Sequence, residues 1–260
     1  GQSLGVPVWR LLGGRKAQCM PAYASGGWAG ADRIGEQLLS YVERGGFKAV
    51  KMRVGVMDGD VLGSVKRVRA ARAALGDDIG LMCDAHGTFS VPEAKRFCRM
   101  VEDCDLTWFE EPVTSDDKRG YAEVRAATAI PIAAGESEFT RHDFRDLIDA
   151  RAVDVLQPDL AICGGITEAM RIAALASAYN LRLAPHLWAG APAFAAGMHV
   201  AAAAPAGFIL EYSLGANPLL QELVEEKFVV KDGMIEIPDR PGLGLTINED
   251  FVKRYAVPLD

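Results

Sequence analysis

The chain has 260 residues, half of them hydrophobic, and a formal net charge of -7. That length suits an α/β barrel, which takes about 250 residues, and the acidic balance, with no aromatic-interleaved Lys/Arg run, argues against a nucleic-acid surface. The five cysteines, Cys19, Cys83, Cys98, Cys104 and Cys163, include no C-x-x-C pair, so neither a disulfide framework nor a thiolate zinc site is indicated and a reducing, cytoplasmic setting is expected.

Residues 1–14 lack the basic stretch and apolar run of a signal peptide and read as the end of an upstream unit. From residue 15 onward, apolar strand-like runs alternate with longer helical patterns, which predicts repeated βα units and a parallel sheet. The first strand is expected over 18–25, followed by a loop with Gly26, Gly27 and Trp28 and a helix over 32–44. A second strand over 47–54 puts Lys51 and Arg53 on one side, because side chains alternate along a strand. The next helix, 60–75, is basic and amphipathic, the pattern of a surface helix.

Three apolar runs then end in acids: 79–84 in Asp84, 106–110 in Glu110 and 130–136 in Glu136. Helices are expected between and after them, over 92–101, 119–127 and 141–150. The sixth strand, 152–159, ends in Asp159, and Gly164-Gly165 opens a helix running to Tyr179. The seventh, 181–186, ends in His186. The Ala/Gly-rich stretch 187–210, interrupted by Pro192, His199 and Pro205, reads as a buried helix rather than a membrane span. An eighth strand covers 208–212. Beyond it, 228–237 reads as a hairpin turning on Asp232-Gly233, and 238–244 as a Pro/Gly loop. Eight parallel strands close most naturally into a barrel.

Polar groups gather at the C-terminal ends of these strands, where a barrel builds its active-site mouth. Asp84, Glu110 and Glu136, one per successive repeat, would put three oxygen ligands on one rim, and oxygen-only ligation points to Mg²⁺ rather than Zn²⁺. Lys51 and Arg53, pointing into a barrel, need anionic partners, which a metal-bound carboxylate substrate would provide. Asp159 and His186 end adjacent strands. An Asp accepting from one imidazole nitrogen leaves the other free as a base. His199 reads as structural.

The ordered set Lys51-Met-Arg53, Cys83-Asp-Ala-His86, Phe109-Glu-Glu-Pro112, Ala134-Gly-Glu136, Gln157-Pro-Asp159, Gly164-Gly-Ile-Thr167, Pro185-His186 and Leu210-Glu211 resembles the enolase superfamily, and within it the mandelate racemase-like group. The resemblance implies a modified (β/α) barrel with Asp84, Glu110 and Glu136 as Mg²⁺ ligands and Asp159 and His186 as a catalytic dyad. It implies that Lys51 is the first position of the lysine motif and Glu211 the acid that hydrogen-bonds the substrate carboxylate. Removing a proton α to a carboxylate needs the resulting ene-diolate stabilised, which Mg²⁺, Lys51 and a protonated Glu211 would do.

Two departures choose among the group's reactions. Arg53 stands where the racemases carry a Lys base, and a guanidinium is a poor base. His86 stands two residues after Asp84, where many relatives have Asn and some acid-sugar dehydratases have a His that protonates the departing hydroxyl. It could instead buttress a ligand or bind a substrate hydroxyl. The resemblance therefore implies a Mg²⁺-dependent dehydratase acting on an aldonate or aldarate, a small hydroxy-carboxylate, to give a 2-keto-3-deoxy acid. The rivals are a hydroxy-acid racemase or epimerase, a lactonising or other enolase-type reaction, and an inert barrel fragment that keeps the ligands but lacks its cap. The resemblance also implies that 1–14 leaves an N-terminal capping domain, that 15–215 forms the barrel, that 216–260 returns toward the cap, and that the protein is a homo-oligomer.

Overall fold

The computed structural model describes residues 1–257. After a short helix α1 (Val8–Leu11), eight strands alternate with seven longer helices. They run β1 (Cys19–Gly26), α2 (Ile34–Gly45), β2 (Ala49–Arg53), α3 (Val61–Leu75), β3 (Gly80–Asp84), α4 (Val91–Met100), β4 (Leu106–Glu110) and α5 (Lys118–Ala126). The series continues with β5 (Ile132–Ala134), α6 (Thr140–Asp149), β6 (Val155–Leu156), α7 (Gly165–Ala178), β7 (Arg182–Leu183), α8 (Ala191–Ala203) and β8 (Leu210–Ser213). Helix starts follow local chemistry. Asp60 accepts from the Gly63 N–H to open α3, and Ser90 with Glu93 forms a reciprocal capping box on α4.

Strands β1 to β7 pair in sequence order, all parallel, and β8 pairs parallel with β1. The seam between β7 and β8 has no ladder. There, Leu183 makes an isolated parallel bridge to Gly207, with Leu183 N–H donating to Ala206 O at 2.9 Å and Phe208 N–H to Leu183 O at 3.1 Å. The α/β barrel expected from the sequence is the architecture found.

The strands expected over 152–159 and 181–186 are shorter than read. Their last ladder bonds are Gln157 N–H to Ala134 O and Ala184 N–H to Leu156 O. The next residues, Pro158 and Pro185, have no N–H to continue pairing. Asp159 and His186 consequently sit in loops rather than at strand ends. Glu136 likewise lies two residues beyond β5, past Gly135 at φ 143°, where a Cβ would meet Phe144 at 2.7 Å.

Inside the barrel, Tyr23, Ala49, Met82, Trp108, Ala133, Val155 and Ala184, all buried, form a floor, one residue from each of the first seven strands or the residue just past it. Large rings fill the space that the alanines leave. Tyr23 and Trp108 meet edge to face at 5.2 Å. Truncating Trp108 to Ala would cost about 3–5 kcal/mol through the cavity left behind. Two residues further along, the same inward register holds Ser25, Lys51, Asp84, Glu110, Gln157 and His186. A packed apolar layer therefore carries a polar one at the mouth.

Helix α8 is the buried helix expected from 187–210, apolar on nearly every side. Among the described residues no helix is long and apolar enough to cross a membrane. His199 is buried within it, its Nδ1 accepting from Trp9 N–H at 3.2 Å, a structural role as expected. After β8 come a short helix α9 (Pro218–Gln221), the hairpin strands β9 (Val230–Lys231) and β10 (Met234–Glu236), and α10 (Glu249–Tyr255). The hairpin turns on Asp232-Gly233, and β10 pairs antiparallel with the first residues of β1. The last three residues of the segment expected over 216–260 lie outside the described residues.

Candidate active site

The expected metal ligands converge. Carboxylate oxygens of Asp84, Glu110 and Glu136 all lie within 4.8 Å of one another. Asp84 Oδ1 accepts from the His86 N–H at 2.8 Å, and its Oδ2 pairs with Arg53 Nη1 at 3.0 Å. Glu110 Oε1 pairs closely with Lys51 Nζ, while Oε2 accepts from Trp108 Nε1 at 2.9 Å and Gln157 Nε2 at 2.7 Å. Burial, and then the nearby Glu110 carboxylate, raise the Asp84 pKa to about 6. Carboxylates held this close in a low-dielectric setting favour a cation among them, and their all-oxygen donor set fits a hard divalent ion.

Asp159 and His186, expected as a pair, are also brought together. His186 Nδ1 lies 2.7 Å from Asp159 Oδ2, while Asp159 Oδ1 accepts from the Ala161 N–H at 2.7 Å. His186 Nε2 is turned toward the carboxylate group, 3.6 Å from Glu136 Oε2. Burial works to lower the imidazole pKa, but the field of Glu211 and the Asp159 hydrogen bond outweigh it and raise the value to about 9.

Lys51 and Arg53 do find anionic partners, but the protein itself supplies them. Lys51 Nζ lies 3.0 Å from Glu211 Oε1 as well as against Glu110. Burial opposes its charge, and the two glutamates override this, raising its pKa well above the usual lysine value. Arg53 pairs with Asp84 and lies 5.2 Å from the Trp28 ring. Glu211 is buried beside Lys51 at the cavity. Its Oε2 accepts from the Leu187 N–H at 2.8 Å, and although burial works against ionisation, Lys51 and His186 hold its pKa down to about 2.

His86 sits in a left-handed turn at φ 48° with its side chain largely exposed, and its Nδ1 lies 3.0 Å from Glu136 Oε1 and 3.4 Å from Glu111 Oε2. The sequence assigned no role to Glu111, Gln157 or Trp108. Glu111 is buried, at φ 40°, and burial followed by the Glu136 charge raises its pKa to about 8. His86, Glu111 and Glu136 can also bring ligand atoms within 4.8 Å of one another. The Asp84 set suits Mg²⁺ better, having no nitrogen ligand and two fully enclosed acids. Gln157 entered the sequence reading only as part of a motif, and Trp108 only as part of an apolar run. What they do depends on Glu110 lying beside them. The polar groups open into a cavity of about 300 Å³ whose rim carries Trp28 and Trp188.

The sequence profile of the family described as Enolase C-terminal domain-like matches residues 33–251. A D-galactonate dehydratase of Ralstonia pickettii is 38% identical over 266 residues, covering 97% of this chain and 69% of the relative. A D-galactarolactone cycloisomerase of Agrobacterium fabrum is 35% identical over 270 residues, covering 99% of this chain and 71% of the relative. Among solved structures, the 3,6-anhydro-D-galactonate cycloisomerase from Zobellia galactanivorans superposes with a TM-score of 0.90 at 36% identity, covering 97% of this chain and 70% of the other.

Proposed function

Given that this chain belongs to the enolase C-terminal domain-like family, we propose that it dehydrates an aldonate or aldarate to a 2-keto-3-deoxy acid. The observation that carries this reading is the placement of His186 and His86 on the two oxygens of Glu136, which gives one cavity a candidate base and a candidate acid. Bound at Asp84, Glu110 and Glu136, Mg²⁺ would supply positive charge at the substrate carboxylate.

Each residue then has a defined task. Asp159 fixes the imidazole of His186 so that Nε2, once deprotonated, takes the proton from C2. Lys51, held by Glu211 and fully charged, faces the carboxylate oxygen on which negative charge develops. His86 gives a proton to the 3-hydroxyl as the C3–O bond breaks, releasing water and leaving an enol that tautomerises to the 2-keto acid. Arg53 anchors Asp84 and offers no proton acceptor for a racemase's second face.

A second reading is favoured by the names of the Agrobacterium and Zobellia relatives. The same proton removal would then expel a ring oxygen of a lactone or cyclic ether. The two are separated by incubating the intact protein and Mg²⁺ with six-carbon aldonates, aldarates and their lactones, and trapping 2-keto products as semicarbazones. Product from the open acids supports dehydration, and product from cyclic substrates alone supports ring opening. No 2-keto product from any of them contradicts both.

A further inference from the structure

We propose that Arg67, on the outer helix α3, is a positioning residue that clamps the two loops forming one wall of the cavity mouth and thereby sets which hydroxy acids fit. This rests on reading the cavity as a hydroxy-acid site. The helix looked like a basic surface helix, yet Arg67 is 4% exposed, an uncommon state for an arginine unless its donors are met. Its Nε donates to Ala29 O at 2.9 Å and Nη2 to Gly27 O at 2.8 Å, both in the loop after β1. Its Nη1 donates to Arg53 O at 2.6 Å, at the end of β2, and to Asp58 Oδ1 at 2.9 Å, on the segment leaving it.

One guanidinium thus fastens the carbonyls on either side of Trp28 and the carbonyl of Arg53. Those two residues line the cavity, and the Arg53 side chain both pairs with Asp84 and faces the Trp28 ring. Ser64, one turn earlier on α3, extends the knot: its hydroxyl donates to Asp58 Oδ2 at 2.7 Å and accepts from the Gly55 N–H at 3.0 Å. Lysine could not replace the arginine, because a single ammonium lacks the rigid fork that spans two loops. Arg67 lines no part of the cavity, so its influence passes through the loops.

The test compares the intact wild type with Arg67→Lys. Amide hydrogen exchange over residues 26–30 and 53–58 should speed up together, with 85–88 unchanged. For the preferred acid, KM should rise about tenfold while kcat stays within about threefold and Mg²⁺ affinity is retained. Unchanged exchange in either loop overturns the clamp. Faster exchange with an unchanged KM, or a fall confined to kcat, overturns its link to substrate fit. Should Arg67→Lys not fold, Asp58→Asn decides by the same readings, with smaller shifts in the same direction expected. If the wild type turns over no acid, the dehydration reading fails separately, and hydrogen exchange still decides the clamp.

Discussion

His86 and His186 reach opposite oxygens of one carboxylate, with Nδ1 of His86 3.0 Å from Glu136 Oε1 and Nε2 of His186 3.6 Å from Glu136 Oε2. The two rings border the same small volume in unlike surroundings. His186 is largely enclosed and tied to Asp159, whereas His86 is more than half exposed and hangs from a tight turn.

On the proposed dehydration, the two proton transfers would divide between these rings. His186→Asn should abolish both solvent exchange at C2 and elimination, each by about 10²–10⁴-fold. His86→Asn should lose elimination and keep exchange. Equal loss of both activities in His86→Asn would remove it from the role of acid.

The His186 titration should report on the ion. Raised to about 9 by Glu211 and Asp159, the imidazole stays protonated through neutral pH without a divalent ion. The stability this adds is complete below the unfolded value near 6.5 and fades as pH rises through 9. Mg²⁺ bound at Glu136 would offset part of the negative field, so ¹⁵N-detected titration should show the His186 pKa falling when Mg²⁺ is added. An unmoved pKa would place the ion elsewhere.

Gln157→Leu should weaken Mg²⁺ binding by about 10–100-fold while leaving the fold intact, because Glu110 loses the donor that orients it. Calorimetric titration reads the affinity, and an unchanged value would make the contact incidental.

Away from the mouth, Glu168 ties α7 to α6, accepting from the Arg141 N–H at 2.9 Å and from the Arg171 and Arg141 guanidinium groups. The Arg141 N–H, Arg171 and the Arg141 side chain lower its pKa to about 2. Its contribution is therefore present above the ordinary glutamate range, near 4.3, and is lost as pH falls through 2. Glu168→Gln should lower Tm at pH 7, and the gap to wild type should close in strong acid. A gap that persists there would assign the effect to shape rather than charge.

How far the sequence reached depended on whether a residue's role is local. Asp84 and Glu110 were legible because each closes a short apolar run, one per strand-plus-helix repeat. Asp159 and His186 were recognisable by type, but Pro158 and Pro185 moved them into loops. The Lys51–Glu211 pair was not legible, since it forms only once β2 and β8, far apart in sequence, both lie against β1. Arg67 looked like one more cation on a basic helix. Only the folded loops supply its carbonyl partners.

The most direct test of the account is proton NMR of the intact protein with Mg²⁺ and its preferred aldonate or aldarate in D₂O. Dehydration through His186 and His86 predicts a 3-deoxy-2-keto acid carrying one deuterium at C3, formed at the expense of the starting acid. Starting acid recovered with deuterium at C2, inverted configuration and no keto product would contradict it.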